Sequence, residues 1–303
     1  MTDPEPVIVR SPTELRDPDT LDLDLLDTPE LVARIHAADA TVPAAVAAAL
    51  PAIARAVDLA VAALRGGGRV HYAGAGTSGR LAVLDAAELP PTFGLAPDRF
   101  VAHIAGGERA LRTALESVED DAGQARAELA AALAPGDLLV GLAASGRTPY
   151  LAGAFAAAAD AGAGTVLVTS NPGAPLAAGR DVCIVVDTGP EVVTGSTRMK
   201  AGTAQKLVLH TFSTAVLVRL GYTYSNLMVG LRATNAKLRG RTLTILGEAT
   251  GADPAACAEA LAAAGGDLRT ALVVLLTGVT PEEARASLEA AGGSVRAVTS
   301  GRT

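Results

Sequence analysis

Short apolar runs alternate with longer helical patterns through the middle of the chain. Five apolar runs recur, and they cover 69–73, 100–105, 137–142, 165–169 and 182–187. Continuous apolar strands that alternate with helices are typical of a parallel sheet covered on both faces. The pattern therefore predicts an α/β fold with a doubly wound five-stranded parallel sheet. Ligands in such folds bind beyond the carboxyl ends of the strands, so the loops after these runs are candidate sites.

The patterns on either side of the sheet predict an arm and further helices. Residues 1–28 are rich in Asp and Pro and predict an extended arm, whereas 29–65 are helical in pattern, and Pro51 predicts a kink or a split. Residues 198–245 predict one or two further helices. Residues 251–294 hold three short helical patterns separated by glycines, which predict a small bundle. The predicted domains are an arm and helix at 1–45, a sheet domain at 46–248 and a small helical domain at 249–303.

Composition and charge narrow the function classes. The chain has 303 residues and a formal net charge of −7. Because nucleic-acid binding usually needs a basic stripe, nucleic acid is not the expected partner. The N-terminus lacks a basic n-region, and no uncharged apolar run reaches about 18 residues, so we expect neither a leader nor a membrane span but a cytoplasmic protein. The 2 cysteines and 4 histidines are scattered, so neither a disulfide framework nor a metal site is expected.

The loop after the first apolar run predicts an anion-binding site. It reads Gly-Ala-Gly-Thr-Ser-Gly over 74–79 and precedes a helical pattern. Backbone N–H groups at a helix N-terminus, together with two hydroxyls, attract an anion. The loop is a poor dinucleotide fingerprint because no acidic residue ends the second run, and no Lys follows as in a Walker A loop. A tight turn that needs glycine is the structural alternative. The candidate ligands are Gly76, Thr77, Ser78 and Gly79.

Two further loops repeat the combination of hydroxyls and glycine between a strand and a helix. The third loop supplies the candidate ligands Ser145, Gly146 and Thr148, and the fifth supplies Ser196, Thr197 and Lys200. Helix capping explains each hydroxyl singly, but it does not explain why the first and third loops share the same pattern. Together these two loops predict a site for a monophosphate held by hydroxyls and amides.

Two carboxylates lie where acid–base chemistry is possible. Glu88 precedes Pro90 and Pro91, where we expect its helix to stop. Glu119 falls at the edge of an apolar stripe on a helix predicted to end at Asp121, and a carboxylate at such a boundary is a candidate for partial burial and a shifted pKa. The stripe consists of Leu111, Leu115 and Val118. From the pattern alone, a solvated helix end is the favoured interpretation for both glutamates.

Three long motifs resemble those of the N-acetylmuramic acid 6-phosphate etherases, a family with a SIS (sugar isomerase) domain. The motifs are GAGTSGRLAVLDAAELPPTFG at 74–94, IAGGERALRTALESVEDD at 104–121 and a stretch that begins VTGSTRMKAGTAQK at 193–241. The arm and the helical tail also resemble the family, so the resemblance spans nearly the whole chain. It implies a SIS-type fold and a cytoplasmic homodimer that removes D-lactate from an amino-sugar phosphate without a cofactor. It also implies that Glu88 and Glu119 are the acid–base pair, with Glu88 as the proton donor.

The implied chemistry suits two carboxylates. A base removes the proton at C2 of the open-chain sugar, an acid protonates the departing ether oxygen at C3, and water then adds at C3. In a continuous helix Ser78 and Glu88 lie about 15 Å apart along the axis. This separation leads to the hypothesis that Glu88 serves a site whose phosphate is held by the partner subunit. An aldose–ketose isomerase and a non-catalytic sugar-phosphate sensor are the alternatives, and the presence of both glutamates favours catalysis.

Overall fold

The computed structural model describes residues 11–230 and 236–300. The chain packs into two compact units: the first holds Met1–Asp85 and Phe100–Phe212, and the second holds Ala86–Arg99 and Ser213–Thr303. The start of the predicted arm, at 1–10, and residues 231–235 of the third motif lie outside the described residues. The domain ranges predicted from the sequence stay a prediction.

The first unit is built around the predicted five-stranded parallel sheet, which confirms the fold class. The strand order is β2-β1-β3-β4-β5, with β1 (Val70–Gly74), β2 (Phe100–Ile104), β3 (Leu138–Leu142), β4 (Gly164–Thr169) and β5 (Val182–Val185). Every residue of β1 and β3 is buried, which explains their continuous apolar sequence. The strands are accompanied by α1 (Thr28–Asp39), α2 (Val42–Arg65), α3 (Gly76–Phe93), α4 (Gly107–Arg112), α5 (Ala122–Ala132), α6 (Pro149–Ala161) and α7 (Lys200–Arg219).

Helix α2 runs through Pro51 without a break, so the predicted split at this residue is wrong. Pro51 lies on the exposed face of the helix, where water can bind the carbonyl that a proline leaves without a donor. A buried stripe that includes Val46, Ile53 and Val57 packs α2 against the sheet. Within the described residues, Thr28–Arg65 is long and apolar enough to cross a membrane by length and composition alone. The buried stripe of α2 accounts for part of that composition, since 39% of the apolar window is buried.

Helix α3 extends beyond its predicted stop. Pro90 and Pro91 lie inside the last turn of the helix, so the predicted end at these prolines is wrong. The helix ends instead at Gly94, which has a left-handed φ of 67° and donates its N–H to the Pro90 carbonyl at 2.9 Å. A side chain at Gly94 would overlap the backbone of Gly230. The end of α3 therefore needs glycine both for its conformation and for this close approach.

The segment between β2 and α5 departs furthest from the sequence pattern. Helix α4 already ends at Arg112, and a 3₁₀ turn forms at Val118–Asp120, so the predicted helix to Asp121 is wrong. The apolar spacing nevertheless marks a half-buried side, because an added Cβ at Gly106 would lie 2.8 Å from Leu115 Cδ1 and 3.4 Å from Val118 Cγ1. Tertiary packing of an irregular segment thus produces a pattern that also fits a helix.

The second unit contains the predicted helical bundle. An antiparallel hairpin, β6 (Thr223–Tyr224) with β7 (Leu227–Met228), is followed by α8 (Ala236–Thr250), α9 (Pro254–Ala263), α10 (Leu268–Thr277), α11 (Pro281–Ala290) and α12 (Val295–Ser300). Side-chain oxygens of Asp253, Asp267 and Thr280 cap α9, α10 and α11. The three helices predicted for the tail are confirmed, whereas the hairpin and α12 have no counterpart in the sequence pattern.

Candidate functional site

A cavity of about 690 Å³ opens beyond the carboxyl ends of β1 and β3 in the first unit. The strand order reverses between these two neighbours, and doubly wound sheets bind ligands at such a switch point. The cavity wall combines hydroxyls, glycine and charged side chains. It brings together seven of the predicted site residues, namely Gly76, Thr77, Ser78, Glu119, Ser145, Thr148 and Thr197.

The first loop presents the N-terminus of α3 to the cavity. Gly79 donates its N–H to the carbonyl of Ala75 at 3.2 Å, so the N–H groups of Gly76, Thr77 and Ser78 come before the first helical hydrogen bond. These donors and the two hydroxyls suit an anion. Gly79 itself is buried outside the cavity wall, and an added Cβ there would lie 2.6 Å from the carbonyl oxygen of Gly74. Gly79 therefore allows α3 to approach β1 closely.

The third loop is held in place from the end of β4. Thr169 Oγ1 donates to the Ala144 carbonyl at 3.0 Å, and Asn171 Nδ2 donates to the Ser145 carbonyl at 2.9 Å. Gly146 has a left-handed φ of 63° and lies outside the cavity wall, where a side chain would overlap Ala174. The loop is thus fixed by its backbone, while the side chains of Ser145 and Thr148 face the cavity.

Only Thr197 of the three predicted ligands in the fifth loop lines the cavity. The start of α7 lies beside the first loop, because an added Cβ at Gly202 would lie 3.4 Å from Thr77 Cγ2. Ser196 and Lys200 are outside the cavity wall, and Lys200 is only 5% exposed. Lys200 is therefore a buried residue at the start of α7 in this structure.

Glu191, which the sequence pattern did not single out, occupies the N-terminus of α7. It is fully buried, and its carboxylate accepts hydrogen bonds from the N–H groups of Lys200 at 2.9 Å and Ala201 at 3.0 Å. Burial raises the pKa of Glu191, while these two N–H groups and the Lys200 charge act in the opposite direction. A carboxylate nine residues before a helix gives no local capping signal. Because Glu191 accepts from the N–H groups of Lys200 and Ala201, these two groups at the start of α7 are not free to bind a ligand. Thr197 is the residue of the predicted set that the fifth loop presents to the cavity.

Glu119 reaches the cavity from the 3₁₀ turn after α4. It is exposed, in agreement with the favoured solvated interpretation and not with partial burial, and it lines the cavity. Ser117, two residues earlier, has a left-handed φ of 62°, which is uncommon for a residue other than glycine. Arg80 of α3 supports the segment from the other side, since its guanidinium donates to the carbonyls of Leu111 at 3.3 Å and Thr113 at 3.4 Å. The turn that carries Glu119 is therefore shaped by tertiary contacts.

Glu88 is placed differently from Glu119. It lies in the last part of α3, is exposed, and is absent from the cavity wall. Ten residues of helix separate it from Ser78, which is about 15 Å along the helix axis. Its role as the proton donor stays a prediction.

The cavity wall also contains charged residues that the sequence analysis missed, namely Glu14, Asp120 and Arg147. Glu14 comes from the predicted extended arm, whose described part contains three 3₁₀ turns. Gly195 donates its N–H to the Thr13 carbonyl at 3.1 Å, and Thr13 is fully buried, so the arm is tied to the fifth loop. Nothing in the local pattern around Glu14 indicates this long-range contact.

A chain of polar side chains, all buried except Glu128 at its end, lies outside the cavity wall. His71 Nδ1 lies 3.0 Å from His103 Nε2, and His71 Nε2 lies 3.2 Å from Asp137 Oδ2. His103 Nδ1 continues to Glu128 Oε1 at 3.0 Å. Burial, followed by the neighbouring His103, lowers the pKa of His71 to about 4. His71 is therefore neutral in the folded protein near pH 7.

Comparisons with known proteins give a consistent assignment. The SIS domain family matches residues 112–215, and the glucokinase regulatory protein N-terminal SIS domain matches residues 52–159. An N-acetylmuramic acid 6-phosphate etherase of Thermobifida fusca is 65% identical over 270 residues, which are 89% of this chain and 88% of the relative. One of Symbiobacterium thermophilum is 52% identical over 267 residues, or 88% and 89% of the two chains.

A solved structure supports the fold assignment. It is that of a Bacteroides fragilis protein described as a phosphosugar isomerase involved in capsule formation. It is similar to this chain with a TM-score of 0.51 at 22% identity, over 65% of this chain and 93% of its own.

Proposed function

The chain belongs to the N-acetylmuramic acid 6-phosphate etherase family, and we propose that it is a carbon–oxygen lyase. In this proposal it cleaves the D-lactyl ether of N-acetylmuramic acid 6-phosphate and yields N-acetylglucosamine 6-phosphate and D-lactate. The observation that carries the proposal is the cavity, because it combines two loops suited to a phosphate with the carboxylate of Glu119. The family relationship then specifies the sugar.

The phosphate of the substrate binds between the first, third and fifth loops. Its oxygens accept hydrogen bonds from the hydroxyls of Thr77, Ser78, Ser145, Thr148 and Thr197, which share the cavity wall. The N-terminus of α3 adds backbone donors and a favourable dipole. An anion held by neutral donors needs no cation of its own at this end of the cavity.

The ether bond breaks by elimination and is followed by addition of water. A carboxylate base removes the proton at C2 of the open-chain sugar, and a carboxylic acid protonates the ether oxygen at C3 as lactate leaves. Water then adds to C3, with the two groups in exchanged roles. Glu119 and Glu88 are the proposed pair, with Glu88 as the proton donor. The first step breaks the C3–O bond to lactate and leaves a C2–C3 double bond, and the second forms a C3–O bond to water while C2 regains a proton. The net reaction is a hydrolysis without oxidation or reduction, so these steps require no cofactor.

The position of Glu88 supports a site shared between two subunits. A helix separation of about 15 Å from Ser78 exceeds the span from the phosphate to C3 of one sugar, which is roughly half as long by standard bond lengths. We therefore propose a homodimer in which Glu88 of one subunit reaches the cavity of the other. We further propose that this dimer is a soluble cytoplasmic protein.

Incubation with N-acetylmuramic acid 6-phosphate tests the proposed activity. D-lactate, measured by a stereospecific coupled assay, is expected to accumulate in step with N-acetylglucosamine 6-phosphate. N-acetylmuramic acid without the phosphate is the matched control substrate and is expected to react far more slowly, since it lacks the group that the loops bind. Folded protein that releases no lactate from the phosphorylated sugar contradicts the proposal.

A further inference from the structure

Arg147 of the third loop has a buried side-chain donor, Nε, that lacks a hydrogen-bond partner in the described structure. Its backbone N–H donates to Ser145 Oγ at 3.3 Å, which fixes the start of the side chain. Its Nε is buried, and the described residues offer this atom no hydrogen-bond acceptor. A buried guanidinium donor without an acceptor is costly. An anionic ligand in the cavity that Arg147 lines would remove that cost.

The charges of the cavity wall bear on how an anionic ligand can bind beside Arg147. Among the lining residues that the structure describes, Arg147 is the only cation, whereas Glu14, Glu119 and Asp120 are carboxylates. A substrate with two negatively charged groups would be repelled by three carboxylates unless each of its groups found compensating donors. The loop hydroxyls and the α3 N-terminus serve one such group, and Arg147 is left for the second.

We propose that Arg147 binds the carboxylate of the lactyl group and thereby selects the lactyl ether over the plain sugar phosphate. This inference rests on the proposed function, which supplies a substrate with a phosphate at one end and a carboxylate on the leaving group. A guanidinium matches a carboxylate with two parallel N–H donors. Because the carboxylate keeps its charge while the ether bond breaks, Arg147 binds the substrate and the transition state about equally. Its loss therefore raises KM much more than it lowers kcat.

Binding of two sugars distinguishes this role from a contact to the phosphate. N-acetylmuramic acid 6-phosphate carries both anions, whereas N-acetylglucosamine 6-phosphate carries only the phosphate. Calorimetry with Arg147→Met in a Glu119→Gln background, which slows turnover, gives both dissociation constants. For the lactyl ether we expect a loss of affinity of about 10- to 100-fold, as for a charge-assisted hydrogen bond. For the plain sugar phosphate the expected change is below about threefold. In the otherwise unchanged enzyme, Arg147→Met raises KM with a much smaller change in kcat.

A matched control is Arg126→Met, which removes the same charge from an exposed ion pair with Asp160. This variant is expected to bind both sugars as its parent does. The proposal is overturned if Arg147→Met weakens the binding of both sugars equally or weakens neither. It is also overturned if the parent does not bind the lactyl ether. Unfolding temperatures of all variants separate these outcomes from misfolding. Absence of lactate release by the unmodified enzyme would instead contradict the proposed function, while the difference in binding would still decide the role of Arg147.

Discussion

Glu119 and Glu116 are close in sequence but differ in their relation to the cavity. Both are exposed, yet only Glu119 belongs to the cavity wall. If Glu119 acts as an acid or base, Glu119→Gln lowers kcat by about 10²–10⁴-fold, because the amide cannot transfer the proton. Glu116→Gln removes the same charge and is expected to keep kcat within about twofold, as exposed changes away from a site have little effect. Steady-state lactate release measures both, and near-normal kcat in Glu119→Gln excludes its catalytic role.

The lowered pKa of the buried His71 leads us to expect that the folded protein loses stability in weak acid. Its pKa is lowered to about 4 from 6.5, chiefly by burial. Above pH 6.5 the histidine is neutral in both the folded and unfolded chains, so it adds no dependence on pH. Between pH 6.5 and 4 the unfolded chain binds a proton that the folded chain does not. The free energy of unfolding therefore falls as the pH falls, by up to about 3 kcal/mol from this group.

Urea unfolding at about pH 7 and about pH 4.5 measures this effect. The fall in unfolding free energy is expected to be smaller in His71→Gln than in the unmodified protein. His36→Gln is the matched control, because His36 is exposed, and it is expected to leave the fall unchanged. If all three proteins lose the same free energy between the two pH values, His71 does not carry the effect.

The third loop needs glycine at position 146 both for its left-handed backbone conformation and for the close approach of Ala174. Comparison with a second glycine of the same conformation separates these two contributions to stability. Gly146 and Gly162 have φ values of 63° and 68°. A Cβ at Gly146 would overlap Ala174, whereas nothing lies within 4 Å of a Cβ at Gly162. Gly162→Ala is expected to cost about 1–2 kcal/mol for the left-handed conformation alone. Gly146→Ala adds a steric cost of about 1–3 kcal/mol. Equal losses of unfolding free energy contradict this account.

The strands were predictable because their burial leaves a direct record in the sequence. All residues of β1 and β3 are buried and apolar or small, apart from His71. The ends of α3 and α4 were not predictable in the same way. Pro90 and Pro91 fit into a last turn that Gly94 terminates, and the helical spacing before Glu119 arises from packing over Gly106. Local sequence patterns thus identified these helices and strands correctly. They placed the ends of α3 and α4 wrongly, because those ends depend on tertiary contacts.

A purified mixed dimer tests whether two subunits share one active site. Glu88→Gln subunits with one affinity tag and Glu119→Gln subunits with another are co-expressed, and the dimer that carries both tags is isolated. If Glu88 acts in the partner's cavity, one of the two sites is intact, and activity is about half that of the unmodified twofold dimer. If Glu88 acts in its own subunit, both sites are defective.

The reciprocal mixed dimer is the control. It pairs an unmodified subunit with a subunit that carries both substitutions, so that shared sites leave each site with one defect. The expected activity is then close to that of the single variants, whereas independent sites give about half of normal. A half-active reciprocal dimer, or a fully active single subunit in solution, rules out the shared site.

For the whole molecule, the position of the cavity loops was predictable, whereas the charged residues of the cavity wall were not. Thr77, Ser78 and Ser145 follow strands at positions where any doubly wound sheet binds ligands. Glu14 reaches the same cavity from the arm through contacts with the fifth loop, which no local pattern indicates. The buried, unpaired Nε of Arg147 is likewise visible only in three dimensions.

Reaction in ¹⁸O-labelled water tests elimination and hydration most directly. Mass spectrometry of both products, with N-acetylglucosamine 6-phosphate incubated alone to measure exchange at C1, locates the oxygen that comes from water. Because water adds to C3 in the proposed reaction, we predict one ¹⁸O at C3 of the sugar and none in D-lactate. Label in the hydroxyl of lactate, with none at C3, would show that the bond to the lactyl carbon breaks and would contradict the proposed reaction.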